Sequence, residues 1–441
     1  GEAIVDQGSF NALAPASCLK LLTTSAALEG LGEEYRYITE LYYSGTIKNG
    51  TLNGNIYIKG SGDPSLGSSQ VTGSPDLDSL MSIWTIAVRK AGIKKINGKI
   101  ISDSHKYGLY TIPEDWTWAD MGNYYGAGTS SVTINDNFYK LFFKPAADSG
   151  LPASVIRTEP EIKRLNFTNY MLTGKAGSGD NGYIYCAPLQ HMAVLRGTVP
   201  AGEAEFSIKG SIPDPPFFAA EYFAGKLLSA GIKFKGRSDV SKIAEVSDEK
   251  INYEKFSLLF RHVSPPLKDI VYIINKKSNN LYTEQILREL AFVKYGESST
   301  ETGIKAVYDF LNKSGIPAEG VYLHDGCGLS RSDAVTARTL AKLLSFNTRQ
   351  VYFNSFYNSL GIAGKKDDIS SFRNTGTNTI IADNAHIKDG YIGGVRSHTG
   401  YVKARNGRLI AFSFICNNFK GRSRAVGEIY TDLIMRLAGL D

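Results

Sequence analysis

The stretch of sequence that decides the fold runs from Pro15 to Leu28 and reads PASCLKLLTTSAAL. A proline followed by good helix formers is typical of a helix start, so we predict a helix that begins near Ala16. Residues three apart share a helix face, which places Ser17 and Lys20 side by side. A serine hydroxyl is a weak nucleophile until a base takes its proton, and this spacing offers the Lys20 amine as that base.

The position of Ser17 near the helix start has a second chemical consequence. Backbone N–H groups and the positive end of the helix dipole lie there, where they can stabilise an oxyanion. Lys20 can act as a base only if its pKa falls, which burial or a neighbouring cation would cause. The pair therefore predicts acyl transfer through a covalent serine intermediate.

Two further motifs follow Ser17 and Lys20 along the chain. Alone, S-x-x-K is weak, because Ser247-Asp248-Glu249-Lys250 has the same pattern in a charged, loop-like stretch. β-Lactamases and penicillin-binding proteins add S-x-N and then a basic residue followed by T-G. We assign these two motifs to Ser278-Asn279-Asn280 and to His398-Thr399-Gly400.

The setting of each motif matters as much as its letters. Ser278-Asn279-Asn280 lies between two predicted helices, where a hydroxyl can relay a proton and an amide can hold a substrate carbonyl. His398-Thr399-Gly400 opens a predicted hairpin strand, whose bare edge can pair with an extended peptide. Lys313-Ser314-Gly315 fits the third motif better by its letters, but lysine followed by glycine at a helix end is typical of capping.

The chain of 441 residues is longer than one hydrophobic core usually supports, which indicates two or three domains. From about residue 44 to 250, glycine-punctuated alternating stretches predict short strands, so we interpret this region as a β-rich insertion. After Ser264-Pro265-Pro266 the apolar spacing becomes helical. Near the end, Thr399–Ala404 and Leu409–Cys416 flank Asn406-Gly407, which is typical of a β-hairpin.

Composition excludes several classes of protein. The net charge is +6, but the basic residues are dispersed, which argues against a nucleic-acid partner. The cysteines form no C-x-x-C pair and the histidines no ligand spacing, so we expect no metal. No apolar run is long enough to predict a transmembrane segment.

Several further stretches stand in an order that resembles a known family. They are Gly60-Ser61-Gly62-Asp63-Pro64-Ser65-Leu66, Asn135-Asp136-Asn137, Ile212-Pro213-Asp214-Pro215, Ser264-Pro265-Pro266-Leu267, Asn275–Gln285 and Asp325-Gly326-Cys327-Gly328-Leu329-Ser330-Arg331. With the three motifs, the chain resembles the class C low-molecular-mass penicillin-binding proteins over nearly its whole length. This is the type-4 D-Ala-D-Ala carboxypeptidase and endopeptidase family.

The resemblance implies the fold and the domains. The expected fold class is α/β (α+β), a β-lactamase/transpeptidase-like antiparallel sheet flanked by helices and interrupted by a β-rich insertion. The catalytic domain is expected at residues 1–44 and 251–441. The inserted β-rich domain is expected at 45–72 and 150–250, with a further nested domain at 73–149.

The resemblance also implies the activity. It predicts a serine-type D-alanyl-D-alanine carboxypeptidase or endopeptidase that acts on peptidoglycan stem peptides through an acyl-enzyme. β-Lactam antibiotics are the expected inhibitors, and no cofactor is expected. We expect export to the periplasm or cell envelope, with the signal peptide already removed from a chain that starts at Gly1.

Carried over position by position, the resemblance gives each motif residue a role. Ser17 is acylated, Lys20 is the base, Ser278 relays the proton toward the leaving amine, and Asn280 binds the substrate amide. The implied substrate-binding residues of the third motif are His398, Thr399, Gly400 and Tyr401. Among these, Thr399 with neighbouring basic side chains holds a terminal carboxylate, and the Tyr401 N–H completes the oxyanion hole with that of Ser17.

His398 departs from the family pattern, which has lysine at this position. Histidine is largely uncharged at neutral pH unless a partner raises its pKa. We therefore predict that activity toward carboxylate-terminated peptides falls across the histidine titration as pH rises.

Two alternatives remain open. A β-lactamase needs a group that activates water, and we find neither a Tyr-x-Asn second motif nor an obvious additional carboxylate. A cell-wall-binding protein of the same fold with weak catalysis is the other alternative. The balance of carboxypeptidase and endopeptidase activity, the type of crosslink and the oligomeric state stay undetermined by sequence.

Overall fold

The computed structural model describes residues 2–234, 240–243 and 251–441. The S-x-x-K match at Ser247–Lys250 lies outside the described residues. The α-helices are, in chain order, α1 (Lys20–Leu31), α2 (Leu77–Lys90), α3 (Trp118–Met121), α4 (Pro215–Ser229), α5 (Leu267–Lys277), α6 (Asn280–Tyr295), α7 (Thr300–Lys313), α8 (Ala337–Asn347), α9 (Phe353–Ser359) and α10 (Ser423–Ala438). In the part of the chain that the structure describes, no helix has the length and apolar character needed to cross a membrane.

The strands are, in chain order, β1 (Ala12–Leu13), β2 (Ile38–Tyr43), β3 (Thr46–Lys48), β4 (Thr51–Asn53), β5 (Ile56–Lys59), β6 (Lys95–Ile96), β7 (Ile100–Asp103), β8 (Phe138–Lys144), β9 (Ser154–Glu159), β10 (Asn166–Gly174), β11 (Asn181–Tyr185), β12 (Met192–Pro200), β13 (Phe206–Ser211), β14 (Val240–Ile243), β15 (Ser257–Val263), β16 (Val335–Thr336), β17 (Gly361–Ile362), β18 (His386–Ile392), β19 (Val395–Lys403) and β20 (Leu409–Asn417).

The chain divides into two compact units, one made of Gly1–Arg36 with Pro266–Asp441 and the other of Tyr37–Pro265. The sequence places these boundaries at residues 44 and 251, and strand pairing explains the difference. Strands β2 and β15 pair with each other in the sheet of the inserted unit, so the inserted unit includes both strands. The division of the insertion at residues 72 and 149 stays a prediction.

The first unit is built on an antiparallel sheet with the strand order β17-β18-β19-β20. Helix α10 packs on β19 and α8 on β20, while a 3-10 turn at Ala16–Leu19 lies against β18. An antiparallel sheet flanked by helices confirms the predicted fold class. The hairpin predicted around Asn406-Gly407 is present as β19 and β20.

Helix α1 lies in the interior of the first unit. Every residue from Lys20 to Leu28 is buried, and α1 packs against α5, α6 and α7. A helix without a charged face is expected to be buried on all sides, and the hydroxyl of Thr24 is satisfied by the Lys20 carbonyl at 2.8 Å. The apolar sequence after Lys20 therefore carries this lysine into the protein interior.

The second unit, Tyr37–Pro265, is β-rich as the sequence indicates. Its largest sheet among the described residues has the order β14-β7-β5-β2-β15, and α2 and α4 pack on strands of this sheet. Three-stranded sheets with the orders β13-β8-β9, β10-β12-β11 and β3-β4-β6 complete it. Its apolar core includes Trp84, Phe143 and Phe223, all fully buried.

Candidate active site

Ser17 and Lys20 lie side by side where the 3-10 turn joins α1. The sequence predicts an α-helix from about Ala16, but the structure has a 3-10 turn there and α1 begins at Lys20. Residues three apart are eclipsed in a 3-10 helix, and Lys20 Nζ donates a hydrogen bond to Ser17 Oγ at 2.9 Å. Ser17 is partly exposed, whereas its neighbours Ala16 and Cys18 are buried, so a substrate can reach the serine.

Three hydrogen bonds hold the Lys20 amine. Besides Ser17, Nζ donates to Asn280 Oδ1 at 2.6 Å and to the Cys327 carbonyl at 2.7 Å. Burial lowers the pKa of Lys20 to about 8; the neighbouring Cys327 opposes this shift and the Lys388 cation adds to it. A lysine with a pKa near 8 is partly neutral at physiological pH, which a general base requires.

Ser278 and Asn280 come from the junction between α5 and α6. Ser278 ends α5 with a left-handed φ of 56°, and Asn279 caps α6 by accepting from the Tyr282 N–H. The sharp turn at Ser278 lets both flanking helices stop at the site. As a result, the Asn280 side chain accepts a hydrogen bond from Lys20, and the Ser278 hydroxyl accepts one from a second amine.

The second amine belongs to Lys388, a residue that the sequence analysis does not identify. Its Nζ donates to Ser278 Oγ at 3.0 Å and to the Asp389 carbonyl at 2.6 Å, and it lies 3.3 Å from Asp389 Oδ1. The Lys388 side chain is fully buried. Lys388 therefore stands where the third motif is expected to supply a basic residue.

Lys388 belongs to β18, and the edge of β18 lies next to Ser17. Strand β17 pairs only with His386 and Ile387, so among the described strands nothing covers that edge from Lys388 onward. A Cβ added to Gly390 would lie 3.0 Å from the Ser17 nitrogen and 2.5 Å from the Pro15 oxygen. Only glycine lets the strand approach Ser17 this closely.

The hairpin that joins β18 to β19 fixes which backbone groups face this edge. Ile392 and Val395 pair across a two-residue loop, and residues that close such a loop exchange both backbone hydrogen bonds. The pattern alternates along the strand, so the N–H of the next residue, Tyr391, points away from β19. This N–H, beside that of Ser17, suits an oxyanion.

The assignment of the third motif to His398 is wrong. His398 lies on β19, which pairs with β18 on one side and β20 on the other, so this strand has no bare edge. Its buried ring contacts Phe372 and Tyr430. Burial lowers the pKa of His398 to about 3, so it carries no charge near neutral pH. The predicted fall of activity across a histidine titration stays a prediction, and an uncharged ring does not favour it.

The structure also contradicts substrate binding by Thr399, Gly400 and Tyr401. Thr399 is fully buried and its hydroxyl pairs with Ser413 Oγ at 3.0 Å. A Cβ on Gly400 would meet the His386 carbonyl, not an open site. Tyr401 donates its hydroxyl to the Leu344 carbonyl, and its backbone lies in the same interior strand. All three residues therefore serve the packing of the sheet.

A signal for the correct strand is present in the sequence. Lys388-Asp389-Gly390 keeps the basic residue and the glycine of the third motif and changes only the threonine. The pair Gly393-Gly394 just beyond it is a strong two-residue hairpin turn. This turn predicts a strand that ends at Ile392 and contains Lys388-Asp389-Gly390. His398-Thr399-Gly400 lies on the second strand of the same hairpin.

A buried acidic cluster shapes the loop that reaches Lys20. The Asp325 carboxylate accepts four backbone N–H bonds from the following residues of its own loop, at 2.6–3.0 Å. Glu284 accepts from the Gly326 N–H at 2.8 Å, and burial with the nearby Asp325 raises the pKa of Glu284 to about 8. These bonds hold the Cys327 carbonyl against Lys20.

Comparison with known proteins gives one family. The sequence pattern of the D-Ala-D-Ala carboxypeptidase 3 (S13) family matches residues 1–436. A D-alanyl-D-alanine carboxypeptidase of Actinomadura sp. is 28% identical over 430 residues, which cover 96% of this chain and 76% of that protein. The D-alanyl-D-alanine carboxypeptidase DacB of Haemophilus influenzae is 25% identical over 422 residues, with 95% and 83% covered.

Solved structures share the fold. Penicillin-binding protein 4 (dacB) from Haemophilus influenzae superposes with a TM-score of 0.80 at 23% identity, covering 98% of this chain and 93% of that one. Its complex with a β-lactam gives a TM-score of 0.78 at 22% identity, with 99% and 93% covered. A predatory endopeptidase from Bdellovibrio bacteriovorus gives 0.54 at 15% identity, with 99% and 90% covered.

Proposed function

The chain belongs to the D-Ala-D-Ala carboxypeptidase 3 (S13) family of serine peptidases, and we propose that it cleaves D-alanyl-D-alanine peptides of peptidoglycan through an acyl-enzyme at Ser17. The observation that carries the proposal is the bond between Lys20 Nζ and Ser17 Oγ at 2.9 Å, made by a buried amine whose pKa lies near 8. A nucleophile and its base must be in hydrogen-bond contact, and the base must be partly neutral.

The acylation step follows from this arrangement. Neutral Lys20 takes the Ser17 proton while Oγ attacks the carbonyl carbon of the penultimate D-alanine. The N–H groups of Ser17 and Tyr391 bind the oxyanion that forms. The bond to the leaving amine then breaks, and Ser278 Oγ supplies a proton to that amine.

Ser278 can act in this way because of its neighbours. Lys388 holds its hydroxyl at 3.0 Å, and Asn280, two positions further along the chain, accepts from Lys20 at 2.6 Å. We propose that the proton that Lys20 takes from Ser17 replaces the one that Ser278 gives to the leaving amine. The Asn280 side-chain amide donates to a carbonyl of the peptide substrate.

Deacylation reverses the same proton transfers with water as the nucleophile. Lys20 activates the water, and the ester bond to Ser17 breaks to release the shortened peptide. A β-lactam acylates Ser17 in the same way, but its leaving group stays covalently attached within the opened ring. We propose slow hydrolysis of that adduct, and location of the protein in the cell envelope, where peptidoglycan is found.

Mass spectrometry after exposure to benzylpenicillin tests the proposal. We expect a covalent adduct on the intact chain that maps to the peptide containing Ser17 and is lost in Ser17→Ala. A sample that has not been exposed to benzylpenicillin should release D-alanine or separated stem peptides from purified peptidoglycan. An unmodified Ser17 would favour the wall-binding alternative, and rapid release of hydrolysed penicillin would favour a β-lactamase.

A further inference from the structure

Asp389 places a carboxylate at the end of the site where the leaving group departs. Its Oδ1 lies 3.3 Å from Lys388 Nζ, and Lys388 Nζ lies 3.0 Å from Ser278 Oγ. Asp389 Oδ2 accepts from Ser371 Oγ at 3.4 Å, and the side chain is 26% exposed. The carboxylate therefore reaches the open side of the strand edge and is not enclosed in the core.

The position of the leaving group follows from the proposed function, on which this inference rests. The scissile carbonyl lies between Ser17 and the Tyr391 N–H, and the leaving amine must face Ser278 to receive its proton. Substituents on the carbon next to that amine then lie beside Lys388 and Asp389. A C-terminal D-alanine has a carboxylate on this carbon, whereas an amidated residue or the side-chain amine of a lysine cross-bridge has none.

Lys388 is poorly available to a substrate carboxylate. An ammonium group has three N–H donors, and Lys388 directs its own at Ser278 Oγ, the Asp389 carbonyl and Asp389 Oδ1. A substrate carboxylate would have to replace one of these acceptors. It would do so within a few ångströms of the Asp389 carboxylate, where like charges repel each other.

Asp389 is ionised at neutral pH. Burial raises its pKa, but the positive charges of Lys388 and Arg396 outweigh this and hold the pKa of Asp389 below its ordinary value. Arg396 itself runs along α10, with Nε 3.6 Å from a Cβ built on Gly427. Its charge adds to that of Lys388 in stabilising the Asp389 carboxylate.

We propose that Asp389 is a specificity-determining residue that favours substrates whose leaving amine has no free carboxylate on the adjacent carbon. The preferred leaving groups are uncharged or cationic, such as an amidated residue or a lysine side-chain amine released from a cross-bridge. A free C-terminal D-alanine is the disfavoured leaving group.

Two peptides that differ in one group test this inference. N-acetylated Lys-D-Ala-D-Ala is offered as the free acid and as the C-terminal carboxamide, and the released D-alanine or D-alaninamide is quantified by liquid chromatography and mass spectrometry. We expect kcat/KM at least about tenfold higher for the amide, which corresponds to about 1.4 kcal/mol. In Asp389→Thr and in the isosteric Asp389→Asn, the ratio should fall to about one or below.

The control removes a carboxylate elsewhere in the same unit. Asp432 pairs with Arg436 on the exposed side of α10, so Asp432→Asn should keep the wild-type ratio. The circular dichroism spectrum of each variant reports whether it is folded. Cleavage of both peptides with the free acid preferred, or an unchanged ratio in both Asp389 variants, overturns the inference and leaves the proposed function standing. Failure to cleave either peptide, with Ser17 unlabelled, overturns the proposed function instead.

Discussion

Strands β18 and β19 are neighbours in one antiparallel sheet, and each contains a basic residue two positions before a glycine. By its letters, His398-Thr399-Gly400 of β19 is the closer match to the third motif, whereas Lys388-Asp389-Gly390 of β18 has an aspartate in the middle. Of these two strands, only β18 has an edge that no other described strand covers, because β17 stops at the pair with Ile387. A strand's place in the sheet therefore decides its function more than its resemblance to a motif.

The two basic side chains differ in the same way. Both are buried, but Lys388 has oxygen partners for its ammonium group, while neither ring nitrogen of His398 has a hydrogen-bond partner among the described residues. The three oxygen acceptors around Lys388 match the three N–H donors of an ammonium group. A buried imidazole without acceptors stays neutral, because burial disfavours its charged form and lowers the pKa of His398 to about 3.

Replacing Lys388 should change the acylation rate far more than replacing His398, and this difference is the largest effect that we expect. Lys388→Met removes the amine that holds Ser278. It also removes the positive charge that helps to lower the pKa of Lys20. We therefore expect acylation by benzylpenicillin to slow by about 10³-fold. His398→Gln should change the rate less than about twofold. Stopped-flow or quenched mass spectrometry gives both rate constants, and similar losses in the two variants would contradict the distinction between the strands.

The pH profile of acylation separates a lysine base from a histidine cation. Because the pKa of Lys20 is near 8, the neutral and reactive fraction grows as pH rises through that value. We expect the acylation rate to increase about tenfold between pH 7 and pH 9 and then to level off. The measurement uses benzylpenicillin, with His398→Gln as the matched control.

A rate that falls from pH 6 to pH 8 would restore a role for a protonated histidine. The same is true of a profile that changes in the His398 variant. The expected result is an identical rise in both proteins, because His398 is already neutral throughout this range.

Sequence reasoning reached some parts of the site and not others for a physical reason. Ser17 and Lys20 are local, since helix geometry alone brings residues three apart together. Ser278 and Asn280 flank a helix junction that apolar periodicity predicts. Their roles stay proposals, but the structure joins Ser17, Lys20 and Asn280 by hydrogen bonds and places the Ser278 hydroxyl on Lys388.

The place of Lys388 in the site could not be predicted from local sequence, because it depends on contacts between distant segments. It meets Ser278 across 110 positions of sequence, and its edge is open only because β17 is two residues long. The same limit affects the boundaries of the insertion. Strands β2 and β15 are far apart in sequence and share one sheet, which periodicity within either segment cannot reveal.

His398 offers the smallest test, through stability instead of catalysis. Two buried ring nitrogens without partners cost free energy, and His398→Phe removes them while keeping a flat ring between Phe372 and Tyr430. We expect the free energy of unfolding in urea at pH 7 to rise by about 1 kcal/mol. Between pH 6.5 and pH 4 the unfolded chain protonates this histidine and the folded protein does not, so the wild type loses stability as pH falls. His398→Phe should lose less over that window, and an equal loss would mean that the ring has a partner after all.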